Sequence, residues 1–114
     1  MKLPNADKAQ VPKAKITGYL LSFTHEDGRS KAAFFTRFGF STSKWRALAV
    51  ALKEHVKVHP VVKVEDSPFG TRYVVEGDFH TPDGRSPVLR SIWFIENEDT
   101  VPRFVTAYPL RRKS

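Results

Sequence analysis

Two short runs near the end of the chain, Arg90-Ser91-Ile92-Trp93-Phe94-Ile95 and Pro102-Arg103-Phe104-Val105-Thr106-Ala107-Tyr108, put guanidinium, hydroxyl and aromatic groups on what read as neighbouring strands. Such a set can hold an anion. Cleaving RNA through its own 2′-hydroxyl needs a base for that proton, an acid for the leaving oxygen, and cations around the phosphorane-like transition state. Arg, Lys, His and Tyr can fill those roles without a cofactor. The candidates for the chemistry are Lys31, Arg72, Arg90 and His25, with Arg72 and Arg90 on phosphate and Lys31 or His25 in proton transfer or charge stabilisation. His80 is a further proton carrier, and Arg103, Thr106 and Tyr108 are the candidates for holding substrate. A mid-strand arginine such as Arg90 is costly to bury unpaired, so it calls for a carboxylate, Glu76 or Asp78, or else a ligand. For Lys31 and Arg72 the reading as ordinary exposed charges, on a helix and an edge strand, outweighs the functional one. Trp93 and Phe104 read as core, whereas an exposed Tyr108 could stack on a base.

Other chemistries find less support. Gly70 and Gly77 lack both the motif and the strand-to-helix setting of a phosphate loop. His55 and His59 have the i, i+4 spacing of a metal pair, but the zincin glutamate is missing and Pro60 follows directly, so no metal site is expected. The carboxylates gather at Glu26-Asp27, Glu65-Asp66 and Glu96-Asn97-Glu98-Asp99, each in a turn where solvation explains them. The absence of cysteine removes thiol nucleophiles, disulfides and Cys-bearing metal sites.

The elements that must carry these groups follow from periodicity. Pro12 opens a first helix whose apolar positions are Ile16, Tyr19, Leu20 and Phe23. After the polar stretch His25-Glu26-Asp27-Gly28-Arg29, Ser30 caps a second helix burying Ala32, Phe35 and Phe38, and Gly39 stops it. Ser41 or Thr42 caps a third, with the stripe Trp45, Leu48, Leu52, Val56. At His59-Pro60 the period changes to that of strands: Val61, Val62 and Val64, then a turn at 66–70. Next come the alternating Tyr73, Val75, Gly77, Phe79, a type I turn at Thr81-Pro82-Asp83-Gly84, a strand over 88–96 and a last one over 103–108, ended by Pro109. Three helices followed by about four antiparallel strands predict a single α+β domain over 1–114, with helices on one sheet face and residues 1–11 and 110–114 loosely held.

Composition bounds the function. At 114 residues the chain has room for one domain with a real core. No apolar run approaches the roughly 20 residues of a membrane helix, and the first residues lack the apolar stretch of a secretory signal. A soluble, cytoplasmic protein is expected. Its net charge is +7, and residues 1–58 hold 11 Lys/Arg against 4 Asp/Glu. That field favours encounter with polyanions such as RNA; scattered lysines also serve plain solubility.

The opening Lys2-Leu3-Pro4-Asn5-Ala6, Tyr19-Leu20-Leu21-Ser22, Gly28-Arg29-Ser30-Lys31-Ala32, Phe69-Gly70-Thr71-Arg72-Tyr73, Thr81-Pro82-Asp83-Gly84-Arg85 and the two C-terminal runs together resemble a family of small uncharacterised bacterial proteins, a domain of unknown function. More loosely, the element order, basic charge and final Arg- and Thr-bearing strand resemble the barnase-like and Rel-type ribonuclease toxins, in which N-terminal helices pack on a four-stranded antiparallel sheet whose open face cuts RNA. That second resemblance implies a metal-independent ribonuclease in a toxin–antitoxin or contact-toxin system, with an acidic antitoxin or other neighbouring-gene protein covering the basic site. The alternative from the residues is a non-catalytic nucleic-acid-binding or protein-interaction module, and a purely structural or phage-associated role stands as a third reading.

Overall fold

A computed structural model describes residues 1–110. After a 3₁₀ turn (Ala6–Lys8) come α1 (Lys13–Lys15), which runs into a π-helical turn (Ile16–Leu20), then α2 (Arg29–Arg37) and α3 (Trp45–Val58). Four strands follow: β1 (Val61–Ser67), β2 (Gly70–Asp78), β3 (Val88–Glu96) and β4 (Arg103–Pro109). They form one antiparallel sheet in the order β1-β2-β3-β4. The expected α+β architecture holds. None of the described helices is long and apolar enough to cross a membrane.

The core lies between the helices and one face of this sheet. Strand alternation sends Val75 and Phe79 of the β2 segment, Leu89 and Trp93 of β3, and Phe104 and Ala107 of β4 to the helical side. There they meet Leu48, Leu52 and Val56 of α3, Phe35 of α2, and Ile16 and Leu20. Helix α3 stops where Pro60 disfavours helical geometry for His59, which is extended at φ −110° and ψ 149°. Helix α2 ends in a Schellman motif: Gly39 takes φ +103°, its amide donates to Thr36 O, and the Phe40 amide reaches back to Phe35 O. The Phe35 and Phe40 rings pack across that motif at 6.1 Å.

Several local expectations are overturned. The first helix does not continue at a regular period, because the Leu21 amide donates to Ile16 O in an i to i−5 bond. The wider turn buries Leu21 and leaves Phe23 57% exposed. Neither Ser30 nor Ser41 or Thr42 caps a helix. Ahead of α2 the ring of His25 does this work, its Nδ1 accepting from the Asp27 and Gly28 amides at 3.0 and 3.2 Å. Phe38 is only half-buried. Asp66 and Ser67 belong to β1, so the turn shrinks to Pro68-Phe69. Strand β2 is internal, which removes Arg72 from an edge. Residues 1–11 are packed rather than loose: Leu3, Ala9 and Val11 are buried, and the Gln10 amide donates to Pro102 O. The basic tail from Arg111 onward lies outside the described residues.

The two histidines that suggested a metal pair each bond a backbone carbonyl at the end of β2, His55 from the interior and His59 from a half-buried position. His55 is 2% exposed and hydrogen-bonded on both nitrogens. Nε2 can only donate to Gly77 O at 3.1 Å, so in the neutral ring Nδ1 carries the lone pair and accepts from Ser91 Oγ at 3.0 Å. Ser91 Oγ in turn accepts from Trp93 Nε1 at 2.9 Å. Burial first, and the adjacent His59 to a lesser degree, hold His55 down at about 4 against the raising influence of the Gly77 bond. His59 Nε2 bonds Asp78 O at 2.7 Å.

A folded pKa of about 4 against an unfolded 6.5 means that the unfolded chain binds the extra proton as pH falls. The stability His55 provides is therefore complete above pH 6.5 and is lost down to about pH 4, amounting to up to about 3 kcal/mol. Urea unfolding of wild type and His55→Gln across this range should show the segment in wild type and a flatter curve in the variant.

Candidate functional site

The face of the sheet turned away from the helices carries polar groups in rows, because register places residues of adjacent strands side by side. Glu76, Arg90 and Tyr108 lie directly opposite one another on β2, β3 and β4. The next row towards the core side, Val75, Ser91 and Ala107, is fully buried, which fixes the charged row on the open face. Arg90 sits in the middle and bonds both neighbours. Its Nε donates to Glu76 Oε2 at 2.7 Å, its Nη2 lies 2.5 Å from the same oxygen, and its Nη1 donates to Tyr108 Oη at 3.0 Å. Tyr108, then Glu76, raise the proton affinity of the guanidinium further, so it stays charged. Both Arg90 contacts fall on Oε2. Among the described residues no hydrogen bond engages Glu76 Oε1.

This row borders a hollow of about 390 Å³. Lys63, Glu65 and Arg72 line its other side, and Val62, Val74 and Ile92 line the rest. Arg72, Arg90 and Tyr108, expected to act together, do share one depression. Arg72 is about half exposed and only loosely paired, its Nε 4.0 Å from Glu65 Oε1. A second hollow of similar volume between α3 and the β2–β3 loop is lined largely by carbon, including Ala47, Val50, Ala51 and Val58, and offers no Lys or Arg.

One step along β4, on the same face as Tyr108, stands Thr106. Its Oγ1 shares a hydrogen bond of 2.9 Å with Tyr19 Oη, which reaches it from the π-helical turn. Tyr19 gathers two more of the expected residues: Lys31 Nζ lies 5.4 Å from its ring centroid and His25 meets its edge at 5.0 Å. Lys15 Nζ stands 5.5 Å from the same centroid. The backbone makes this possible at Gly28, where a Cβ would fall 2.2 Å from Tyr19 O. Only glycine lets the 22–28 loop close so tightly. Because His25 Nδ1 accepts two backbone amides, its neutral proton resides on Nε2, which suits a hydrogen-bond donor and not a base.

The expected residues thus fall into two linked groups, Arg72–Arg90–Tyr108 and Lys31–His25–Thr106. Arg103 joins neither: its Nη1 donates to Gln10 Oε1 at 3.1 Å and its Nη2 lies 3.6 Å from Asp99. The Val101 and Thr100 amides, more than Arg103, hold the Asp99 carboxyl below the usual range. His80 is exposed in the loop after β2, beside the carbon-lined hollow. Sequence reasoning missed three groups. Glu76 was taken only as a counter-ion, Tyr19 as core, and Lys15 not at all; the signal was the i, i+4 pairing of Lys15 with an aromatic residue whose hydroxyl needs a partner when half-buried.

A family model described as Domain of unknown function (DUF6883) matches residues 2–111. The chain belongs to that family. This agrees with the resemblance carried by its motifs. No curated protein matches the chain. Among solved structures it is similar to a chain of the "Contact-dependent growth inhibition toxin - immunity protein complex from Klebsiella pneumoniae 342", with a TM-score of 0.69 and 21% identity over 88% of this chain and 98% of that one. At that identity the similarity is one of fold.

Replacing Gly28 with alanine should cost about 1–3 kcal/mol of unfolding free energy, since Tyr19 O must move. Gly18→Ala, where nothing lies within 4 Å of the added carbon, is the control and should stay near neutral in the same urea titration.

Proposed function

We propose that this DUF6883 protein is a toxin that cleaves RNA at the Glu76–Arg90–Tyr108 row, using its own side chains. The observation that carries the reading is the convergence of a carboxylate, a guanidinium and a phenol, bonded in line across three strands, at the rim of a polar-lined hollow on a basic protein. Each group suits one part of 2′-hydroxyl attack on phosphorus. Glu76 Oε1 takes the hydroxyl proton. Arg90, with Arg72 across the hollow, faces the phosphoryl oxygens as negative charge grows on them. Tyr108 Oη accepts from Arg90, so its own O–H remains free to donate to the phosphoryl or leaving oxygen. Thr106 positions the chain beside Tyr108, and Lys31 and His25 add donors one step away.

The fold shared with a chain of a toxin–immunity complex supports the toxin setting, and the net charge of +7 supports an acidic inhibitor protein as its partner. Neighbouring Glu76 also explains how Arg90 is tolerated there before substrate arrives, since an unpaired guanidinium over Val74 and Ile92 would be costly.

Incubating the purified protein with labelled RNA in chelator tests this. Cleavage leaving 2′,3′-cyclic phosphate ends is expected, reduced by about 10²–10³-fold in Arg90→Ala and about 10²–10⁴-fold in Glu76→Gln. Retention of RNA without cleavage by folded wild type would replace this reading with a nucleic-acid-binding module. Indifference to RNA would leave a protein-interaction role.

A further inference from the structure

The ammonium groups of Lys15 and Lys31 converge on one aromatic ring, and no carboxylate among the described residues lies within ion-pair distance of either. Each is steered by one bond to a backbone carbonyl: Lys15 Nζ donates to Val105 O at 3.2 Å and Lys31 Nζ to Asp27 O at 3.2 Å. Two N–H groups on each remain available. Both residues are half-buried, so the site is built into the surface and is not a pair of free-swinging chains. Between them the Tyr19 and Thr106 hydroxyls share a single hydrogen bond, which uses one of their two protons and leaves the other to donate outward. No anionic side chain stands among these groups. Two ammonium groups and one hydroxyl, with no compensating negative side chain, describe a receptor for an anion.

We infer that Lys15, Lys31, Tyr19 and Thr106 form a second phosphate subsite, which holds the nucleotide next to the one attacked at the Glu76–Arg90–Tyr108 row. This rests on the RNA reading of that row. Thr106 and Tyr108 are two residues apart on one face of β4, a separation of roughly 7 Å, which is the scale of one nucleotide step in a single-stranded chain. The alternative, a stacking platform for a base, fits poorly, because the ammonium groups and the edge-on His25 already occupy the surroundings of the Tyr19 ring. The substrate class is therefore a single-stranded segment that extends at least one phosphate beyond the scissile bond, held by its backbone and not by base identity.

Binding of a 2′-O-methyl RNA oligonucleotide, which cannot be cleaved, is measured for wild type and the Lys15→Gln/Lys31→Gln double variant across a salt series. The variant should bind more weakly, and the slope of log affinity against log salt should become shallower by about 0.7, one phosphate contact on a single strand. Tyr19→Phe should weaken binding without changing the slope. Wild-type affinity and slope in the double variant, with cleavage of ordinary RNA by wild type intact, would overturn the subsite alone. Failure of wild type to cleave at all would instead overturn the reading it rests on. If the double variant does not fold, Lys15→Gln and Lys31→Gln singly decide the matter, each with a smaller change of the same sign supporting the subsite and no change refuting it.

Discussion

The outer edge of β4 is where residues 10–19 meet the last strand, and the rest of the arrangement depends on that seam. An edge strand leaves a row of unpaired amides and carbonyls. Here residues 10–19 occupy it point by point: Gln10 exchanges backbone bonds with Pro102 and Phe104, Lys15 covers Val105 O, and Tyr19 meets Thr106. Val11, Ile16 and Leu20 are buried as a result. The contacts span 87 to 93 residues of sequence, so closing this seam carries the loop-closure cost of long-range pairing. The same seam delivers Tyr19, and with it Lys15 and Lys31, to the margin of the open sheet face.

On that face the controlling physics is charge on a sheet whose other side is core. Val74 and Ile92 are nearly inaccessible there, yet they lie beside Arg90 and Glu76. A guanidinium in that setting needs a partner, and the in-register carboxylate supplies one while Tyr108 satisfies a second donor. The two partners hold that guanidinium in one orientation. The loosely paired Arg72 adds a positive charge to the same face, and its field is one that salt screens.

Much of this was legible in the sequence, and the exceptions share a cause. The strands followed from period-2 alternation, α3 from its Leu48, Leu52, Val56 stripe, and the end of α2 from Gly39, because each depends on residues close together in the chain. Arg90 declared its need for a carboxylate for a similar reason: alternation put Glu76 on the matching face of the strand before it. The π-helical turn could not be read, since a five-residue step breaks the 3.6 period that reveals helices. His25 as a cap, His55 as a neutral core group and Arg103 as a tie to Gln10 and Asp99 were equally hidden. In each a polar side chain is assigned by a partner that only tertiary structure, or an unusual loop, brings near. The packing of residues 1–11 was missed because a short polar segment with Leu3, Ala9 and Val11 looks loose until the β4 edge is there to receive it.

With β4 sealed, the sheet has one remaining margin among the described residues, β1, which pairs only with β2. Its irregular register between Val61 and Lys63 and its exposed Lys63, Glu65 and Asp66 disfavour casual association with a copy of itself. Yet Val62 and Val64 stand uncovered beside those charges. Among the described residues, growth of the sheet by a further strand is thus open in a single direction, away from Tyr19 and beside the β1 residues that line the hollow.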